Sequence, residues 1–256
     1  MKERMKDMVF LDKITKSSQD HFSTDMRIYV TGDTHIPIDI SKLNIKKFPE
    51  QKKMTREDYV IILGDFGLYW HDDEEHEHWR KWLEEKSFTI LWIDGNHENH
   101  QWINSLPVFG WHGGKVHQTA ENIIHLMRGE CFEIGGKHFL AAGGAQSYDR
   151  FCRVPEVSWW REELWSHQEQ ENLFFTLDRM KAEGIRIDYI LSHTCPRELL
   201  RPMFGVEDPD PTASLLQAVY DELGSQGFQG WYFGHWHQDK SMGKFHCLYD
   251  EVRRIM

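Results

Sequence analysis

Short apolar runs rich in β-branched and aromatic residues recur along the chain, at 27–30, 59–63, 88–93, 189–191 and 231–233. Each is bounded by polar or turn-forming residues and has the length of a strand, so the pattern predicts five strands. Three more runs, at 123–127, 131–134 and 138–142, are separated by tight Gly-containing turns, and Gly143-Gly144 ends the last of them. Helical spacing alternates with these strands. Trp79, Trp82 and Leu83 form an apolar face behind an acidic first turn, which suits the helix dipole. Ser166 with Glu169 makes a capping-box pattern ahead of Leu173, Phe174, Leu177 and Met180, and Gly184 stops that helix. A further helix over 213–223 buries Leu215, Leu216, Val219 and Leu223. The Pro-rich stretch 201–211 reads as an irregular loop over the rim of a site, and 244–249 as a closing strand. With no internal repeat or linker, the alternation predicts one α/β domain.

The five predicted strands end in unusually polar residues. Five blocks close the runs in order: Gly32-Asp33-Thr34-His35, Gly64-Asp65, Gly95-Asn96-His97-Glu98, Ser192-His193 and Gly234-His235-Trp236-His237. Polar residues at the carboxyl ends of neighbouring strands converge on one rim of a sheet, where open α/β sheets bind their ligands. A single Gly-Asp or Gly-Asn pair is an ordinary turn signal; five in order are not explained as turns. Asp-X-His and His-X-His place two donors on one side of an extended strand end, because side chains alternate with period two. Carboxylate and imidazole donors suit divalent ions, manganese or iron first, with zinc or magnesium as further options.

The series DxH, GD, GNHE, a lone His and GHxH, from Asp33 to His237, resembles the calcineurin-like metallophosphoesterase superfamily. The resemblance implies a two-sheet β-sandwich flanked by helices, in α/β/β/α layers, with two divalent metal ions at one sheet edge. It places Asp33, His35 and His237 on the first ion and Asn96, His193 and His235 on the second, with Asp65 as the bridge. Two such cations acidify a shared water, whose hydroxide attacks phosphorus in line without a covalent intermediate. His97, beside a ligand but not assigned to metal, is placed as the general acid for the leaving group, and Glu98 is read as supporting the loop or orienting His97. The expected activity is phosphoester hydrolysis, as a phosphatase or as a phosphodiesterase or nuclease. Protein serine/threonine phosphatases share GNHE, but their second block reads GDxVDRG and an Arg precedes GNHE. Here those places hold Gly64-Asp65-Phe66-Gly67-Leu68-Tyr69-Trp70 and Asp94, so a phosphoprotein is the poorer substrate. A non-catalytic scaffold on the same fold is the alternative of a different class. The complete set of ligands together with His97 argues against it.

Other residues carry competing readings. His71, His76 and His78 lie in an acidic segment that mixes ligand types, yet it reads as the solvated start of a helix. His100, His112 and His117 come after the third block and are candidates for the vicinity of the metals. Arg150, Arg153 and Arg161 lie past the Gly pair, where a guanidinium can fork onto phosphate; Arg150, with Asn96, is the substrate-binding candidate. Trp159 and Trp160 offer stacking faces but read as packing residues. Cys195, two residues beyond His193, reads as a small buried hydrophobe rather than a nucleophile.

Charge and composition narrow the partners. Thirty basic against 41 acidic residues give a net charge of −11, which opposes general attraction to long nucleic acid. A phosphorylated small molecule, a nucleotide or a strand end remains open, because metal ions offset that charge locally. No apolar run is long enough to cross a membrane. Residues 1–25 lack the pattern of a secretory signal and read as an extension before a domain spanning 26–256. Four cysteines without paired short spacing suit a reducing cytoplasm. The aromatic content leaves room for an oligomer interface.

Overall fold

In a computed structural model, residues 26–70, 74–207, 210–224 and 227–256 are described. The expected extension 1–25 and His71 lie outside the described residues. Two mixed sheets face each other. The first has seven strands in the order β13-β1-β2-β3-β6-β5-β4, formed by β1 (Ile28–Thr31), β2 (Tyr59–Leu63), β3 (Thr89–Ile93), β4 (Val108–Trp111), β5 (Gly114–Ala120), β6 (Ile123–Leu126) and β13 (Arg253–Arg254). The second has six in the order β11-β12-β10-β9-β8-β7, formed by β7 (Cys131–Ile134), β8 (Lys137–Ala142), β9 (Tyr189–Ser192), β10 (Gly230–Phe233), β11 (Lys240–Met242) and β12 (Phe245–Cys247). β1, β2, β3 and β6 run parallel, as do β8, β9, β10 and β12.

The central runs are apolar on both faces because each face has its own layer to fill. Ile61 and Leu63 of β2, Leu91 and Ile93 of β3, Phe139 and Ala141 of β8 and Leu191 of β9 meet between the sheets. The alternate residues Val60, Ile62, Ile90 and Trp92 turn outward, to a layer completed by α1 (Glu74–Glu84) and α2 (His100–Ser105) through Leu83 and Ile103. On the other side Leu140, Ile190, Trp231 and Phe233 pack beneath α3 (His167–Ala182), α4 (Arg197–Phe204) and α5 (Pro211–Leu223). The expected two-sheet sandwich flanked by helices is the observed architecture.

Three local expectations differ from the structure. Residues 201–204, read as irregular, form the end of α4 with Pro202 inside it; burying Leu199, Leu200 and Met203 offsets the lost backbone bond. His76 is buried on α1 rather than solvated, while His78 is exposed as expected. The antiparallel β4–β5 hairpin and the short strands β11 and β13 complete the sheet edges beyond the runs visible in sequence. No helix among the described residues is long and apolar enough to cross a membrane. All four cysteines are free thiols.

Candidate metal centre

All five polar blocks lie at the carboxyl ends of their strands, on the edge where the two sheets meet. β1, β2 and β3 deliver Asp33, His35, Asp65 and Asn96 from the seven-stranded sheet; β9 and β10 deliver His193, His235 and His237 from the other. Asp33, Asp65, Asn96 and His193 are buried, His35 and His235 half-buried, and His237 exposed.

Asp33, His35 and His237 offer donor atoms within 4.8 Å of one another, and Asp33 Oδ2 lies 3.1 Å from His237 Nε2. Asp65 stands between two groups of imidazoles. Its Oδ2 accepts from His35 Nε2 at 3.2 Å, while its Oδ1 lies 3.3 Å from His193 Nε2. Asn96 Oδ1 accepts from His193 Nε2 and His235 Nδ1, both at 3.0 Å. Asp65 therefore lies centrally, with Asp33, His35 and His237 to one side and Asn96, His193 and His235 to the other. His35, Asp65 and His97 form a further group within the same limit, so His97, not assigned to metal from sequence, lies within ligand reach as well.

The backbone is bent to bring these donors together. His35 (φ 33°), Asp65 (φ 48°), His235 (φ 68°) and His237 (φ 47°) all occupy the left-handed region, which non-glycine residues seldom adopt and which collects at functional sites. The glycines of the motifs act through close approach. A methyl group at Gly95 would lie 2.1 Å from Asp65 Oδ1, and one at Gly234 2.2 Å from Asp33 Oδ1. Supporting partners hold the ring orientations. His193 Nδ1 donates to the Leu63 carbonyl at 2.7 Å, and His35 Nδ1 to Asp39 Oδ2 at 2.9 Å, each turning Nε2 to the cluster. Glu98 is buried and accepts from the Phe66 N–H at 2.7 Å, which ties the loop after β3 to the loop after β2.

The donor set fits divalent cations on two counts. His235 Nε2 is buried with no hydrogen-bond partner among the described residues. The charges also call for a counter-ion. Burial works against the Asp65 carboxylate, yet His193, His97 and His35 outweigh it and hold its pKa well below the ordinary range. The reciprocal effect overcomes burial at His35 and His193 and raises them to about 9 and about 10. Buried carboxylates here draw positive charge, and protons and metal ions compete for the same nitrogens.

The sequence profile of the calcineurin-like phosphoesterases matches residues 26–239, most of the chain and every block described above. The chain belongs to the calcineurin-like phosphoesterase family. A search of curated proteins finds no match. Hydrolysis of phosphate esters at a two-metal site is the general chemistry of such a phosphoesterase, and the clustered donors of this one are possible ligands.

The remaining candidates of this phosphoesterase are placed less evenly. His100 and His117 are buried beside Asp94 and His125, away from the cluster, and His112 donates to the Glu133 carbonyl. Arg150 is exposed and bonds Gln146; its neighbour Arg153 instead reaches His97, with Nη2 3.2 Å from His97 Nε2. Trp160 is buried edge-on against Trp70, as a packing residue. Cys195 is fully buried and burial pushes its thiol pKa up, unlike that of a nucleophile. Sequence reasoning missed Lys42, buried with its ammonium on the Asp33 and Tyr249 carbonyls, and Asp39 behind His35. Neither belongs to a spaced motif that would have marked it.

Proposed function

We propose that this chain hydrolyses phosphate esters of small molecules, nucleotides among them, at a pair of divalent cations. Asp33, His35, Asp65 and His237 would hold the first, and Asp65, Asn96, His193 and His235 the second. The observation that carries the reading is Asp65, whose two carboxylate oxygens face opposite groups of imidazoles at 3.2 and 3.3 Å. When bound, such a pair lends Lewis acidity to phosphoryl oxygens and lowers the pKa of water.

The chain's own side chains do the rest. Ser192 Oγ donates to the Thr194 carbonyl and Cys195 is buried, so water is left as the nucleophile for an in-line attack. His97 Nε2 accepts from Arg153, which is itself held by Asp149 at 2.7 and 2.8 Å. For His97 to protonate the leaving oxygen, Arg153 must turn its N–H groups to a phosphoryl oxygen as substrate enters, freeing Nε2 to carry the proton. Arg150, three residues earlier and exposed, would be an outer contact for the rest of the substrate, and Asn96, beside His193 and His235, would touch the phosphoryl group. Aromatic rings wall the cluster. Tyr148, nearly half exposed, lies over the His235 ring at 5.6 Å with the planes inclined by 27°, Tyr249 stacks on His237 at 4.8 Å, and Trp70 lies 6.1 Å from His97. Such walls favour a substrate with a flat group beside its phosphate.

The test uses metal-stripped protein reloaded with manganese, iron, zinc or magnesium, and p-nitrophenyl phosphate with its bis ester as substrates. Hydrolysis lost in Asp65→Asn is expected, and the ester preferred decides between phosphatase and phosphodiesterase. Two bound equivalents without turnover on either ester would overturn the reading in favour of a scaffold. A lower KM for a nucleoside monophosphate than for glycerol phosphate is expected from the aromatic walls; equal values would remove them from recognition.

A further inference from the structure

We propose that Ser147 and Glu163 are positioning residues that fix the rotation of the Asn96 amide and so set the affinity of the second cation. This rests on the reading of Asn96 as a ligand. Neither residue lies in a motif; both belong to the segment after β8.

An amide side chain has two unlike ends, and a cation tolerates only one of them. As placed, Asn96 Oδ1 faces His193 and His235, and Nδ2 donates to Ser147 Oγ at 3.2 Å. Turned over, the NH2 group would point at the cation. A serine hydroxyl by itself does not choose, since it both donates and accepts. Glu163 removes that freedom. Its Oε2 accepts from Ser147 Oγ at 2.6 Å, and its Oε1 from the Ser147 N–H at 2.9 Å. With its proton committed to the carboxylate, the hydroxyl presents only lone pairs to Asn96, and only the NH2 end can face them. Orientation passes from a buried charge through one hydroxyl to the amide oxygen.

The anchor of this chain is itself fixed. Glu163 is fully buried, and its carbonyl accepts from Arg128 Nη2 at 3.1 Å. The same guanidinium donates through Nε to Asp94 Oδ2 at 2.8 Å, two residues before Asn96. One buried arginine thus ties the segment carrying Glu163 to the loop carrying Asn96. Asp94, in the place where the protein phosphatases carry arginine, is the residue through which this tie is made.

The test is calorimetric titration of metal-stripped protein with Mn2+ alone, on wild type, Ser147→Ala, Glu163→Gln and Asn96→Ala, with thermal melting to confirm folding. Wild type is expected to bind two equivalents and Asn96→Ala to lose the second. Ser147→Ala and Glu163→Gln should each weaken the second equivalent by roughly 10- to 100-fold and leave the first unchanged, the range typical of outer partners of metal ligands. Glu163→Gln keeps the shape but offers an N–H where a carboxylate oxygen stood, so it carries the test if Ser147→Ala folds poorly. Wild-type affinity in both, with the second equivalent lost in Asn96→Ala, would overturn the positioning role and leave the two-metal reading standing. Equal weakening of both equivalents would reduce the pair to general structural support. Two equivalents retained by Asn96→Ala would overturn the ligand reading and the positioning role with it.

Discussion

His97 sits where opposing influences meet: burial depresses its pKa, Asp65 raises it and Arg153 lowers it again, leaving it below the ordinary histidine value. Replacing it separates proton transfer from metal binding. His97→Ala is expected to lower kcat by roughly 10²- to 10⁴-fold, the usual worth of a general acid, with metal content unchanged. Loss of metal in step with activity, measured by elemental analysis, would make it a ligand instead. Arg153→Ala is expected to raise KM by about 10- to 100-fold, from the loss of a charged hydrogen bond to phosphate; an unchanged KM would return Arg153 to the role of a loop brace. At this scale the sequence was legible where chemistry imposes spacing. Asp33 with His35, and His235 with His237, were visible as donor pairs at a fixed spacing, although the alternation of an extended strand is not what joins them. Both pairs lie past the ends of β1 and β10, where the backbone bends into the left-handed region at His35, His235 and His237. Arg153 could not be separated from Arg150, because which of the two turns inward depends on Asp149 and on a short helical turn at Arg150–Cys152. Ser147, Lys42 and Asp39 act through the partners they find after folding, which no local pattern records.

The strands that carry the blocks were legible for a related reason: apolar runs that end abruptly in Gly and a polar residue mark where a buried strand meets the rim. α3 was equally plain. Ser166 Oγ accepts from the Glu169 N–H at 3.3 Å, and Glu169 Oε2 from the Ser166 N–H at 2.7 Å, so the reciprocal cap read from sequence is formed. Ser166→Ala should cost about 1 kcal/mol in urea unfolding and leave kcat unchanged, since α3 touches the core but not the donors. A matching loss of activity would mean that α3 supports the site more directly. α4 is hidden in the sequence because Pro202 ordinarily breaks a helix. It survives here because Leu199, Leu200 and Met203 share a buried face. β4 and β5 carry His112-Gly113, Lys115 and His117 through or beside them, so their apolar pattern is diluted and pairing with β6 decides their state.

Across the molecule, acid has a second target besides the donors. Burial, helped by His125, lowers the pKa of His117 to about 4, and burial with Arg128 nearby lowers His100 to about 3. Unfolded histidine titrates near 6.5, so between these values the unfolded chain holds more protons at these two sites, and their contribution to stability falls as the pH drops. Their contribution is complete above about pH 6.5 and is lost through about 4 and about 3. Urea midpoints at pH 7.5, 5.5 and 4.5 should fall further for wild type than for His117→Gln; parallel curves would acquit His117. The placement of the donors on both sheets has a mechanical consequence. Apolar packing between sheets resists separation, but it is non-directional and opposes sliding only weakly. Cations gripped from both sides would act as rivets against shear. Metal loading should therefore slow amide exchange in β2 and β9 together, and slowing confined to one sheet would mean that the other is only loosely gripped. Were the cations to pin the two halves in register, loading them would assemble the site and switch it on in the same event.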